Sequence, residues 1–287
     1  MRSKKTKAGR IAFWILVVLM FIYLVFPFYW TIVTSFKTES QLMMTPATFI
    51  PRDPSSKTPS FSLANYSAVF HNPTFLLGIK NSAIVSLSVT LICLIVGSFA
   101  AFALGKLRFK GKTVSLYLIL SMTMFPQISV LTGLYAVITK FNINAIVAMI
   151  LSYMLFTLPF TIWVMTSFFK GIPDSLMMAA KVDGATAFQS FYMILIPLAV
   201  PSMVTTGLLA FIAAWNEYLF ALTFTSIDST ARTVPVAMAL FSGTIARQEP
   251  FGEIMAASVI VTIPLLILIY IFQRRLVEGL TAGAVKG

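Results

Sequence analysis

Glu217 is the one acid well inside a long apolar run of this 287-residue chain, in the stretch Ala214-Trp215-Asn216-Glu217-Tyr218. A carboxylate in such a run faces a partner or a watery cavity rather than lipid. Asn216 and Tyr218 add hydrogen-bonding groups, and Trp215 adds an aromatic face. That combination suits a path for a polar solute. The same carboxylate could instead cap a neighbouring helix end. The other reactive side chains assemble no catalyst. His71 is the single histidine, and Cys93, the single cysteine, sits inside an apolar run. A disulfide framework is excluded. There is no cluster with metal-ligand spacing, no nucleophile–base pair and no Gly-x-x-x-x-Gly-Lys-Ser/Thr phosphate loop. No catalytic residue, bound metal or cofactor is therefore expected, and any ATP hydrolysis must come from another chain.

The elements that would hold Glu217 follow from composition. Hydrophobic residues make up 58% of the chain and charged ones 10%, against about 25% charged in a soluble domain. Lipid resolves the imbalance, because it wants an apolar outer face. Six stretches reach the roughly 20 apolar residues that cross a bilayer: 11–33, 77–104, 114–138, 145–169, 198–224 and 254–272. The expectation is an all-α integral membrane protein with six transmembrane helices, forming one domain over 1–287. The first run is too long for a signal-peptide core and no small-x-small site follows it, so it reads as a retained anchor. The net charge of +12 does not signal nucleic acid, since the bases flank apolar runs instead of forming one stripe. With the N-terminus inside, 1–10, 105–113, 170–197 and 273–287 hold 14 of the 21 Lys and Arg residues. The positive-inside rule then places both termini in the cytoplasm.

Pro27, Pro126, Pro159 and Pro264 lie inside these runs and should kink their helices. Gly97, Ala101 and Gly105 put three small residues on one helical face, where a second helix could come close. Residues 37–76 are polar and proline-rich, an external cap with a short helix near 63–70. Residues 225–253 form a second external segment.

The stretch 171–197 reads as two short helices. Pro173 and Asp174 suit a helix start. Gly184 can take the left-handed conformation that ends the first helix. Thr186 and Gln189 have the spacing of a capping box. Phe188, Phe191, Tyr192 and Leu195 follow on one apolar face, and Pro197 is expected to end that helix at the membrane surface. A helix–glycine–helix this apolar should dock, either on lipid headgroups or on a partner whose movement it passes into the fourth and fifth spans. The residues alone leave that choice open.

The run Ala179-Ala180-Lys181-Val182-Asp183-Gly184-Ala185, followed by Phe188-Gln189 and Ile196-Pro197, resembles the EAA loop of ATP-binding-cassette importer permeases. The Ala214–Tyr218 stretch and the C-terminal Phe272–Gly287 resemble the carbohydrate-uptake branch, in particular the second, six-span permease of maltose-type and glycerol-phosphate-type systems. The likeness covers essentially the whole chain. It implies a coupling loop (Met178, Ala179, Ala180, Asp183, Gly184, Ala185, Phe188) seated on a cytoplasmic ATPase. It also implies a tail (Thr281, Ala282, Gly283, Gly287) against the same ATPase. A possible translocation pathway comprises Trp215, Asn216, Glu217 and Tyr218, and a possible binding-protein contact comprises Ser242, Gly243 and Thr244. The partners implied are a second permease in a heterodimer, two ATPase copies carrying ATP and Mg, and an extracytoplasmic substrate-binding protein that delivers a sugar or oligosaccharide. The location implied is a prokaryotic plasma (inner) membrane. Met178 stands where the family carries the glutamate that names the motif. The competing class is an ion-coupled secondary transporter. It would need ionisable residues at mid-membrane and paired internal repeats; the chain has one such acid and no clear repeat.

Overall fold

The computed structural model describes residues 7–241 and 250–284. Within them the chain is built of helices: α1 (Lys7–Ser35), α2 (Glu39–Leu42), α3 (Ala64–Phe70), α4 (Pro73–Lys106), α5 (Lys112–Ser121), α6 (Gln127–Lys140), α7 (Ala145–Gly171), α8 (Asp174–Val182), α9 (Ala187–Ser190), α10 (Ile196–Trp215), α11 (Leu219–Phe224), α12 (Val234–Ala239) and α13 (Phe251–Ala284). Among the described residues, five helices are long and apolar enough to cross a membrane, or six if one bent pair counts as a span. The chain separates into two compact units. One combines the described parts of Met1–Pro73 and Leu240–Ile263, the other Thr74–Ala239 with the described part of Pro264–Gly287.

In the first unit, residues 11–29 of α1 are exposed on every side, the surface of a helix whose solvent is lipid. Past its end the chain is held by polar ties. The amide of Asn65 donates to the carbonyls of Ser35 (2.9 Å) and Lys37 (2.8 Å). A Cβ at Gly252 would stand 2.5 Å from that amide, so any other residue there would push Asn65 off its two carbonyls. Lys37 is buried, its ammonium donating to the Thr48 carbonyl and lying 4.8 Å from the Trp30 ring centroid.

The second unit has two buried clusters. One gathers Val85, Val89 and Cys93 of α4, Met149 and Tyr153 of α7, and Phe220 and Phe224 of α11. The other gathers Ala101 and Phe102 of α4, Met165 and Phe169 of α7, and Phe191, Leu195 and Ala199. Lipid offers no hydrophobic drive for helix association, so close packing must supply it. The expected small-residue face of α4 meets α7. A Cβ on Gly97 would lie 2.8 Å from Thr161 Cγ2, and one on Gly105 would lie 3.1 Å from Phe169 Cβ, with Ala101 fully buried between them. Two hydroxyls inside this interface are hidden in their own helix: Thr157 donates to the Tyr153 carbonyl (2.8 Å) and Thr161 to the Thr157 carbonyl (2.9 Å), while the buried Thr166 hydroxyl finds no partner. At Thr157 and Thr161 the donor is thus satisfied without opening a gap between the helices.

The run 114–138 kinks at Pro126, where α5, a 3₁₀ turn over Met122–Met124 and α6 bend by 92°. Proline disfavours the helical region for the residue before it, and Phe125 is extended at φ −71, ψ 132. Two other expectations are corrected. The run 198–224 is interrupted, with α10 ending at Trp215 and α11 restarting at Leu219. Pro197 ends nothing. It is the second residue of α10 but lies inside a longer helical path, where the π-helical turn before it, and not a free helix end, accommodates its missing N–H. The five residues Phe191–Leu195 before it wind as a π-helix, so the helical path runs unbroken over Ala187–Trp215.

Candidate functional site

The loop between α7 and α10 follows its local grammar. α8 opens at Asp174, a carboxylate at the positive end of the helix. Gly184 is left-handed at φ +80. Thr186 and Gln189 form the capping box, with the Gln189 N–H donating to Thr186 Oγ1 (3.2 Å) and the Thr186 N–H to Gln189 Oε1 (2.8 Å). Two short helices that would be unstable alone are thus closed at the turn between them.

The loop has an anchored side and a free side. Ala180, Phe191 and Leu195 are buried. The Phe191 ring lies 5.0 Å from both Phe99 and Phe102 of α4, and Phe188 stacks on Phe99 at 6.3 Å with planes 6° apart. Met178, Ala179, Val182, Asp183 and Gly184 are exposed, and Ala185 is half-buried. The large apolar members of that exposed set, Met178 at 59% and Val182 at 87% exposure, are one helical turn apart. They make an apolar tip aimed away from the body that holds it. The expected single apolar face of the second helix is therefore divided: Phe191 and Leu195 turn inward, while Phe188 and Tyr192 keep exposed surface.

The start of the loop is fixed by a residue whose role the sequence does not suggest. Lys106, the last residue of α4, donates to the Ile172 carbonyl (2.5 Å) and to Asp174 Oδ1 (2.6 Å). Its side chain is 3% exposed against 68% for Asp174. The two ionic partners are 68 positions apart, beyond any local pattern. Lys106 beside Asp174, with Arg108 and Lys112 at longer range, holds that carboxyl below its ordinary value of 3.8. A lowered carboxyl stabilises above the ordinary value and loses its contribution as pH falls through the lowered one. The pair is accordingly intact from about pH 5 to about pH 8. Asp174→Asn should change solute uptake by the same factor at both ends of that range, measured on matched vesicles. A factor that shrinks towards the acid end would refute the assignment.

At Glu217 the geometry favours capping. Its carboxylate accepts from the backbone N–H groups of Phe220 (2.8 Å) and Ala221 (3.1 Å), the first turn of α11. The Asn216 amide donates back to the Ile212 carbonyl (3.0 Å) at the end of α10. The interruption between the helices is capped on both sides. The buried Tyr153 hydroxyl lies beside the carboxylate, short of hydrogen-bonding geometry with it. Trp215 is buried and stacks on Phe211 at 5.5 Å, while Asn216 and Tyr218 are exposed. The four expected pathway residues are thus contiguous, but the aromatic face among them is covered. Thr281, Ala282 and Gly283 lie on the backbone of α13. Gly287 and the loop residues Ser242, Gly243 and Thr244 fall outside the described residues. Among the described residues no group of His, Cys, Asp or Glu could hold a metal.

Among the described residues, a helical body with membrane-length spans carries an internally capped loop whose apolar tip is exposed. Residues 93–281 match the family described as binding-protein-dependent transport system inner membrane component, and the chain belongs to that family. It is a multi-pass inner-membrane transport protein and not an enzyme. It is 41% identical over 273 residues to the trehalose/maltose transport system permease protein MalG of Thermococcus litoralis, with 94% of each chain covered. To the trehalose transport system permease protein SugB of Mycobacterium tuberculosis it is 42% identical, covering 78% of this chain and 81% of that one. To the sulfoquinovosyl glycerol transport system permease protein SmoH of Agrobacterium fabrum it is 38% identical, covering 91% and 89%. The fold is shared with a bacterial ABC transporter involved in import of the acidic polysaccharide alginate, at a TM-score of 0.79 and 19% identity over 96% of this chain and 98% of that one.

Proposed function

We infer that this chain is one of two unlike permease subunits of an ATP-driven importer for a sugar or oligosaccharide. An extracytoplasmic binding protein delivers the solute. Two copies of a cytoplasmic ATPase supply the energy, with ATP and Mg bound there and not on this chain. Both termini lie in the cytoplasm, on the side of the loop over 171–197. The relatives named for trehalose, maltose and sulfoquinovosyl glycerol support a carbohydrate cargo.

One observation carries the reading: the loop exposes Met178, Val182, Asp183 and Gly184 while its inner face is locked into the helices. An apolar tip on a rigid mount is what a cleft in a moving partner could grip and push. Met178 replaces a carboxylate with a thioether, so its grip comes from packing and not from a charge-assisted hydrogen bond. The test is cross-linking in the assembled importer. Val182→Cys should join this chain to the ATPase through a short bifunctional thiol reagent, when single cysteines are placed around the ATPase cleft. Cys93 is fully buried and should stay silent. Cross-links to lipid-soluble probes alone, with none to the ATPase, would reduce the loop to an interfacial helix.

A further inference from the structure

Movement received by the loop has two obvious routes, because α7 and α10 are its covalent continuations. The geometry points to a third. We propose that Lys106 is a positioning residue that clamps the loop to the end of α4, so that the second span moves with α8 as one body. The proposal rests on the loop's role as the ATPase-docking element.

Three helix ends meet at one buried ammonium. Lys106 closes α4, Ile172 is the C-cap of α7, and Asp174 opens α8. The cation contacts a carbonyl at a helix C-terminus, where positive charge is favoured, and a carboxylate at a helix N-terminus, where negative charge is favoured. Both contacts are charge-assisted. The neighbouring Gly105 makes the reach possible: a Cβ there would stand 3.1 Å from Phe169 Cβ and 3.5 Å from the Thr166 carbonyl, so α4 lies directly against the last turn of α7.

The far end of the loop is tied to the same helix. Phe191 packs 5.0 Å from Phe102, and Phe188 stacks on Phe99. α4 is therefore gripped at the loop's start by charge and at its finish by rings, although it shares no covalent junction with the loop. A load on the exposed tip cannot turn α8 about its junction with α7 without breaking the Lys106–Asp174 contact, while the Ile172 contact holds Lys106 at that junction. It is passed into α4 instead.

The experiment uses the complete importer in proteoliposomes with its binding protein. Spin labels on Leu107→Cys, just past the end of α4, and Val182→Cys, on α8, report their separation with and without trapped nucleotide. Both sites are exposed. In the unaltered background the separation should stay constant between the two states. In Lys106→Met it should differ between them, and solute moved per ATP should fall about tenfold. Asp174→Asn should lower it about threefold, and the double variant should be no worse than Lys106→Met alone. A separation that stays constant in Lys106→Met, with solute moved per ATP within about twofold of normal, overturns the clamp and leaves docking intact. Failure of Val182→Cys to cross-link to the ATPase would overturn docking itself, a separate result. Should Lys106→Met not assemble, Asp174→Asn decides alone, since its carboxylate is exposed and its loss leaves the fold standing. Normal separation and normal coupling in that variant would overturn the proposal.

Discussion

Glu217→Leu should abolish uptake and lower the thermal stability of the purified importer, whereas Glu217→Gln should keep part of both. The carboxylate accepts from two N–H groups in the first turn of α11. Leucine accepts nothing, so both donors are orphaned at about 1–3 kcal/mol each. Lipid supplies no water to replace the lost acceptor. A total loss of about 2–6 kcal/mol is a large part of the stability of an ordinary protein. Glutamine keeps one amide oxygen and can serve one donor. The order Glu217, then Gln, then Leu in melting temperature is what a cap predicts. A sugar ligand predicts otherwise: stability unchanged, with a raised half-saturation concentration for the delivered solute. That second pattern would refute the capping assignment and restore Glu217 to the translocation pathway.

The same residue shows what could and could not be read ahead of the fold. Its position in an apolar run marked it as special, and capping was one of the two uses that chemistry allowed. Which use applies depends on whether the helix stops at Trp215 or continues. A hydropathy pattern cannot show that, because residues 198–224 carry no charged or amide side chain except at Asn216-Glu217. Pro197 misled for a related reason. Proline ordinarily breaks a helix interior, yet here a π-helical turn over Phe191–Leu195 carries the path past it, and no local pattern announces that turn. Local patterns were read correctly where the physics is local. Gly184, Thr186 and Gln189 dictate their turn whatever surrounds them, and the 92° bend traces to Pro126, though its size does not. The Lys106–Asp174 pair was illegible because its partners are distant in sequence. The charges of 105–113 spoke only of topology, and one of them proves to be buried.

Gly97→Val should prevent stable folding, and even Gly97→Ala should be visibly destabilising. The added Cβ would sit 2.8 Å from Thr161 Cγ2, closer than such atoms approach. Thr161 cannot readily yield. It is fully buried, its β-branched side chain has few rotamers, and its hydroxyl is already bonded to the Thr157 carbonyl. The helices must then part, at about 1–3 kcal/mol for the single methyl and more for valine. Helix propensity argues the other way, since alanine is favoured over glycine by about 1 kcal/mol in a helix interior. The sign of the net effect therefore tests the packing itself. Gly133→Ala in α6 is the control, because a Cβ there meets nothing within 4 Å; it should be neutral or stabilising in the isolated chain. Melting of the detergent-purified chain would decide between them. If Gly97→Ala melted no lower than Gly133→Ala, α4 and α7 would not be in the contact described. The result bears on transport as well as folding, because the spacing set at Gly97 and Gly105 brings the end of α4 close enough for Lys106 to reach Ile172 and Asp174. A chain forced apart at Gly97 yet still folded should therefore lose coupling before it loses the ability to bind its ATPase.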